Sequence, residues 1–207
     1  MKTAGIIGGT SWHSTLDMYR YVNQKVSDTM GGYHSARLLV ASIDLQDILD
    51  QNTPSGKGGV LVGAAKQLEA GGADFVVFPE LFIPGYPYGM TFGYTVGSRT
   101  QPGRSDWLGY YENSVLADGE EMRALREAAQ KAGIYLSIGY SERDAVTATL
   151  YNSNMLIAPD GTALNHRKLK PTGAERVVWG DADRGYFPVV DTPWGPMGSL
   201  ICWESYM

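Results

Sequence analysis

Residues 198–204, which read GSLICWE, predict the last strand of the chain, and that strand ends at the only cysteine, Cys202. An apolar run followed at once by Trp203 and Glu204 is typical of a strand that gives way to a turn, where a sulfur can be presented. Free cysteine is among the most buried residue types, so a thiol packed in the core is one interpretation of Cys202. A reactive thiol at the turn is the other, and the remaining sequence is needed to decide between them.

The composition is that of an ordinary soluble globular protein, with 43% hydrophobic and 19% charged residues in a chain of 207. A formal net charge of -5 gives no electrostatic basis for binding nucleic acid or an anionic membrane, both of which favour basic patches. The start, MKTAGIIGG, indicates a first strand and not a signal peptide, and no apolar stretch approaches the roughly 18 residues that span a bilayer. A single cysteine excludes an internal disulfide, so we expect a reducing, cytoplasmic compartment.

The first part of the chain alternates strands with helices, as expected of βαβ units around a parallel sheet. Strands are predicted at residues 3–7, 38–43 and 73–78. The first helix has apolar residues at spacings of three and four over residues 12–26, and the second follows a Gly/Pro/Ser-rich loop at residues 53–59. Between the first strand and helix, Gly-Gly-Thr-Ser favours a tight turn capped by Thr10 or Ser11, with a site for a carboxylate or phosphate as the alternative.

From Pro79 onward the chain changes character, because nine of its ten prolines lie there. Helices are predicted at residues 105–116 and after Asp118, and strands at residues 134–140, 149–158, 163–169, 189–190 and 197–202. Asp160-Gly161 between two strands predicts a hairpin. The aromatic, Gly/Pro-rich stretch at residues 84–97 either walls a pocket or forms a packed surface loop.

Three chemically active side chains follow predicted strands: Glu80, Lys168 and Cys202. Each has a plain alternative, respectively a solvated residue at a strand end, a surface charge in a basic run and a core thiol. Together they supply the parts of nucleophilic acyl-type catalysis, because a thiol needs a base, here Glu80, to become the attacking thiolate. The developing negative charge needs a fixed cation, here Lys168, with the N–H after the nucleophile as a second donor.

The surrounding sequence resembles the carbon-nitrogen hydrolase (nitrilase) superfamily from about residue 69 to the end. Three stretches carry the resemblance, in order and in approximate spacing: FPELFIPGYPYG, HRKLKPTGAERVVWG and ICWESYM. The resemblance implies that Glu80 is the general base and Lys168 the stabilising cation. It implies that Cys202 is the nucleophile and Glu175 a supporting glutamate. It also implies that Tyr86 and Trp203 bind substrate.

The Cys-Trp-Glu form and the aromatic setting of the lysine are more similar to the nitrile and cyanide branch than to the amidase branch. The implied reaction is thiolate attack on a nitrile carbon to a thioimidate, loss of ammonia, and hydrolysis of a thioester to the acid. The resemblance requires no metal or organic cofactor, and His13, His34 and His166 have no spacing that suggests a metal site. The implied partners are a small-molecule nitrile or amide and further copies of the chain in a homo-oligomer.

The opening of the chain resembles a different family, the aspartate/glutamate racemases, over residues 1–78. GIIGGTSWHST, GGYHSARLLVASID and AAKQLEAGGADFVV carry this resemblance. The racemase family usually works with two cysteines, one directly after the third strand, where this chain has Pro79 and Glu80. A racemase-like protein is therefore one alternative function. A catalytically inert fusion or fragment is another, because the chain stops soon after Cys202.

We therefore expect an α/β fold of two parts. A racemase-like parallel βαβαβ opening over residues 1–78 precedes a nitrilase-like α-β-β-α sandwich half over residues 79–207, which is incomplete at its C-terminal end. We expect the two parts to merge into one three-layer unit. The strands that lead to Glu80, Lys168 and Cys202 should then lie side by side.

Overall fold

The computed structural model of the chain describes residues 2–8, 12–44, 46–47, 54–95, 97, 100–182 and 186–207. The chain divides into two compact units, one of Met1–Phe78 with Ala132–Tyr135, and one of Pro79–Lys131 with Leu136–Met207. We refer to them as unit 1 and unit 2. The predicted Gly-Gly-Thr-Ser turn, with Thr10 and Ser11, lies outside the described residues.

Unit 1 is a parallel α/β arrangement. In chain order its described elements are β1 (Thr3–Gly8), α1 (Trp12–Met30), β2 (Arg37–Ser42), α2 (Pro54–Ala70) and β3 (Phe75–Val77). Strand β1 is central and pairs in parallel with both β2 and β3, which confirms the predicted βαβαβ order. Its buried residues Ile6 and Ile7 belong to a core that Leu68 of α2 and Val76 of β3 share.

Two helices of unit 1 differ from the expectation. Helix α2 begins at Pro54, where a loop was predicted over residues 53–59. Proline suits the first turn of a helix because its φ is already helical and it has no N–H to leave unpaired. Helix α1 buries none of its residues, and Trp12 and Leu16 of its apolar stripe are 62% and 47% exposed.

Unit 2 is built on an antiparallel meander. Its described elements are α3 (Gln101–Asn113), α4 (Glu120–Ala132), β4 (Tyr135–Arg143), β5 (Leu150–Ile157), β6 (Ala163–Arg167), a 3-10 helix (Gly173–Val177), β7 (Val189–Thr192), β8 (Gly195–Gly198) and a second 3-10 helix (Cys202–Tyr206). Strand β5 pairs with β4 on one side and β6 on the other. The hairpin predicted at Asp160-Gly161 joins β5 to β6, and Gly161 has the positive φ of 90° that the turn requires.

The segment that carries Glu80 lies against β4. The amide of Ser141 donates to the carbonyl of Ile83 at 2.7 Å, and a Cβ on Gly139 would stand 2.7 Å from the Cα of Glu80. No side chain fits in that space, so glycine is needed at residue 139 for the Glu80 segment to approach the strand.

Leu81 anchors the same segment in the core. It is fully buried in a hydrophobic cluster with Tyr110, Leu150 and Trp179. Leu81 has a φ of 51°, a left-handed conformation that costs a leucine about 1–2 kcal/mol. Complete burial of a leucine side chain contributes about 1.5–3 kcal/mol, which offsets that cost. The backbone next to Glu80 is therefore fixed by packing.

The strand predicted at residues 197–202 is correct only at residues 197 and 198. Strand β8 ends at Gly198 and pairs only with β7 among the described residues, and Cys202 is the first residue of a 3-10 helix. The carboxylate of Glu204 accepts a hydrogen bond from the backbone N–H of Ile201 at 2.8 Å, which closes the chain into a helical turn. The expectation that strands lead directly to all three predicted active residues is corrected accordingly. Lys168 alone directly follows a strand, β6.

Candidate active site

The centre of the candidate site is the ammonium group of Lys168. Its Nζ donates to Oε1 of Glu80 at 3.0 Å and to Oε2 of Glu175 at 2.8 Å. The side chain of Lys168 is only 1% exposed, against 30% for Glu80 and 9% for Glu175. The structure therefore brings together three of the residues that the sequence predicted, as one cation between two carboxylates.

Strand register places Lys168 at this point. Its backbone N–H donates to the carbonyl of Asn152 at 2.8 Å, which continues the pairing of β6 with β5 one residue past the strand. Burial by itself would lower the pKa of Lys168, but the hydrogen bonds to Glu175 and Glu80 and the charges of both raise that pKa well above its usual range. The raised pKa keeps Lys168 a cation at neutral pH.

The two glutamates are held differently. Oε1 of Glu80 accepts from Lys168 and from Nδ2 of Asn152, the latter at 2.7 Å. Among the described residues, Oε2 of Glu80 accepts no hydrogen bond from the protein. Within the described part of the chain, Glu80 thus has one carboxylate oxygen without a protein partner.

Both oxygens of Glu175 are occupied. Oε1 accepts from the hydroxyl of Tyr86 at 3.0 Å, and Oε2 accepts from Lys168 and from the backbone N–H of Thr172 at 2.8 Å. Glu175 lies in the first turn of the 3-10 helix Gly173–Val177, where a carboxylate is favoured. Burial, followed by the charge of Glu175, raises the pKa of Tyr86 well above its usual range. Tyr86 therefore remains a neutral donor to Glu175.

Cys202 is exposed, so the interpretation as a core thiol was wrong. It has a φ of 57°, a strained left-handed conformation that costs a residue other than glycine of order 1–3 kcal/mol. Among the described residues no hydrogen bond joins its sulfur to Glu80 or Lys168. Trp203 is 61% exposed, and its ring lies 5.6 Å from that of Tyr206.

Three residues of the site were not assigned a role from the sequence. Asn152 is 1% exposed and contacts Glu80, and its own Oδ1 is buried without a partner among the described residues. His166 and Glu204 form a buried pair, with 2.7 Å between Nε2 and Oε2. The Cys-Trp-Glu motif contained Glu204, but only the fold shows its partner.

Neither a metal-ligating cluster nor a membrane-spanning helix occurs among the residues that the structure describes. No group of three or more histidine, cysteine, aspartate and glutamate side chains there is arranged to hold a metal ion. No helix within those ranges is both long and apolar enough to cross a membrane.

Comparison with known proteins gives matches over most of the chain. The profile described as carbon-nitrogen hydrolase matches residues 19–207, so the family pattern begins well before residue 69. An aliphatic nitrilase from Sinorhizobium fredii is 46% identical over 146 residues, which are 70% of this chain and 47% of that protein. The chain spans about half the length of the curated relatives it matches.

Two kinds of solved structure are similar to the chain. Nit3 of Saccharomyces cerevisiae, a member of the nitrilase superfamily, aligns with a TM-score of 0.53 and 21% identity over 78% of this chain and 52% of that one, and so shares the fold. An aspartate racemase homologue from Pyrococcus horikoshii is 34% identical over 38% of this chain and 35% of that chain, with a TM-score of 0.33.

Proposed function

This chain belongs to the carbon-nitrogen hydrolase family, and on that premise we propose that it is a nitrilase-type hydrolase that converts an organic nitrile to a carboxylic acid and ammonia. The observation that carries the proposal is the buried ammonium of Lys168 between the carboxylates of Glu80 and Glu175. Burying charges is costly, and buried charged clusters of this kind concentrate at functional sites. The 46% identity to an aliphatic nitrilase supports a nitrile as substrate.

Glu80 is the general base of the proposed mechanism. It has one carboxylate oxygen without a protein partner in the described chain and is 30% exposed, whereas both oxygens of Glu175 are occupied. With Lys168 charged, the two carboxylates leave the cluster one negative charge in excess. A proton that passes from the Cys202 thiol to Glu80 moves this excess negative charge to the sulfur and leaves Lys168 paired with Glu175.

The thiolate of Cys202 then attacks the nitrile carbon, and the nitrile nitrogen takes up a proton, which gives a thioimidate. One water adds to the thioimidate and ammonia leaves, which gives a thioester. A second water cleaves the thioester to the carboxylic acid and frees the thiol. Lys168 stabilises the negative charge that develops in each addition, because a buried cation acts there with little screening.

The strained turn at Cys202 supports the nucleophilic role. Active nucleophiles are often carried on sharp turns with unusual φ and ψ, which project the reactive atom out of the backbone. The exposed sulfur and the φ of 57° at Cys202 agree with that pattern. Tyr86 and Trp203 remain the proposed substrate contacts, and assembly into a homo-oligomer remains a prediction.

Release of ammonia from simple aliphatic nitriles tests the proposal. We expect release by the purified chain and a loss of at least about 10³-fold in Cys202→Ser, whose hydroxyl is a far weaker nucleophile than a thiolate. Release that persists in Cys202→Ser, or no release from chain shown to be folded by a cooperative unfolding transition, would contradict it.

A further inference from the structure

The carboxylate of Glu204 connects two distant segments of unit 2. Oε1 accepts from the backbone N–H of Leu169 at 2.8 Å, and Oε2 accepts from the backbone N–H of Ile201 at 2.8 Å. Leu169 directly follows Lys168, and Ile201 directly precedes Cys202. A single buried side chain, 3% exposed, therefore holds the neighbour of the cation and the neighbour of the thiol.

His166 completes this arrangement. Its Nδ1 lies 2.7 Å from the carbonyl of Tyr186, which can only accept, so Nδ1 carries a hydrogen. Its Nε2 lies 2.7 Å from Oε2 of Glu204, and that carboxylate already accepts two backbone N–H groups. The buried carboxyl group of Glu204 is therefore hydrogen-bonded to two backbone N–H groups and to the His166 ring.

We propose that Glu204, supported by His166, is a positioning residue that fixes the Cys202 turn against the end of β6. The interactions span 35 residues to Leu169 and 38 to His166, so they define a tertiary distance and not a local turn alone. This inference rests on the proposed function, because it assigns Glu204 the task of holding the nucleophile near Lys168. Glu204 does not touch the reacting atoms.

The test compares Glu204→Gln with a matched variant, Glu142→Gln. Glu142 is equally buried at 3% and accepts from three side chains, namely Ser153 at 2.6 Å, Asn165 at 2.7 Å and Arg167. Both substitutions preserve shape and remove one buried charge. Only Glu204→Gln deprives either Leu169 or Ile201 of its acceptor, since the glutamine must place its NH₂ group at one of the two oxygen positions.

Two readouts are measured on the full chain. The first is the rate at which iodoacetamide alkylates Cys202, followed by peptide mass spectrometry and corrected for the folded fraction. The second is kcat and KM for nitrile hydrolysis. For Glu204→Gln we expect kcat to fall about 10²-fold with KM within about threefold, as for a nucleophile displaced by about 1 Å. The alkylation rate should fall at least about fivefold, since a displaced thiol loses its base.

A merely structural role predicts equal effects in the two glutamine variants, so equal alkylation rates and equal kcat values would overturn the proposal. If Glu204→Gln does not fold, Glu204→Asp retains the charge but cannot reach both backbone N–H groups. It is expected to change both readouts in the same direction, and an unchanged Glu204→Asp would also overturn the proposal.

The two readouts separate this inference from the proposed function. Slower alkylation in Glu204→Gln together with no nitrile hydrolysis by the unmodified chain supports the positioning role and refutes the nitrilase proposal. Full hydrolysis by Glu204→Gln, with normal alkylation, refutes the positioning role and leaves the nitrilase proposal intact.

Discussion

Substitution of Gly139 by alanine should displace the proposed base without touching its side chain. A Cβ at residue 139 would lie 2.6 Å from the carbonyl oxygen of Pro79, 2.7 Å from the Cα of Glu80 and 2.7 Å from the backbone nitrogen of Leu81. Ordinary contact starts at 3.4 Å, so the closest of these atoms must retreat by 3.4 − 2.6 = 0.8 Å. All three atoms belong to backbone, so no flexible side chain can absorb the shift.

We expect Gly139→Ala to lower the free energy of unfolding by about 1–3 kcal/mol, the usual cost of overpacking. The shift of 0.8 Å acts on the segment that carries Glu80 and should lower kcat by about 10- to 100-fold. Denaturant unfolding measures the first quantity, and ammonia release per folded molecule measures the second.

The matched control is Gly109→Ala, on α3, where an added Cβ meets nothing within 4 Å. Alanine in a helix is favoured over glycine by about 0.5–1 kcal/mol, so this variant should be slightly more stable and fully active. Gly139→Ala with unchanged stability and unchanged kcat would refute the argument that the close approach at Gly139 positions Glu80.

Three other predictions follow from the same geometry. Glu80→Gln should lower kcat at least about 10³-fold, and Glu175→Gln should lower it less. Among the described residues Glu80 has an oxygen without a protein partner for proton transfer, whereas both oxygens of Glu175 accept hydrogen bonds; steady-state ammonia release compares the two variants. Lys168→Met should lower the free energy of unfolding by about 3–5 kcal/mol at pH 7, since it leaves two carboxylates unpaired. The folded-state pKa of Lys168 is raised, so the stability that Lys168 contributes is complete below its unfolded pKa of about 10.4 and is lost only as pH rises through its folded pKa. The difference in unfolding free energy between Lys168→Met and wild type should therefore be constant from pH 7 to 9 in urea unfolding curves. Leu150→Ala should cost about 2–5 kcal/mol in the same assay by opening a cavity in the cluster around Leu81.

The sequence pointed to three residues that the fold brings into contact, and their catalytic roles stay predictions. Glu80, Lys168 and Glu175 were recognised because each lies in a specific motif, and the fold brings all three into contact. The parallel order of unit 1 and the Asp-Gly hairpin of unit 2 were also predictable, because they follow from local periodicity and turn chemistry.

The region around Cys202 was predicted less well, for a physical reason. The run GSLIC has the apolar composition of a strand, but among the described residues β8 pairs over four residues with β7 and ends at Gly198. Glu204 then captures the N–H of Ile201 and favours a helical turn over continued strand. The helical turn at Cys202 therefore depends on Glu204, three residues after Ile201, and on the buried contact of Glu204 with His166.

Asn152 was missed because its role depends on strand register. Its position opposite Lys168 is set by the antiparallel pairing of β5 with β6. The hydrophobic pattern of the sequence does not predict the register of that pairing to within one residue. The Glu204 contact with Leu169 is likewise tertiary and has no local sequence signal.

The most direct test of the proposed nitrilase mechanism is mass spectrometry of the full chain quenched with acid during turnover of a simple aliphatic nitrile. The mechanism predicts an added mass of the thioimidate or thioester on the peptide that contains Cys202, and its absence in Cys202→Ala. Ammonia release with no adduct on that peptide, or release that continues in Cys202→Ala, would contradict it.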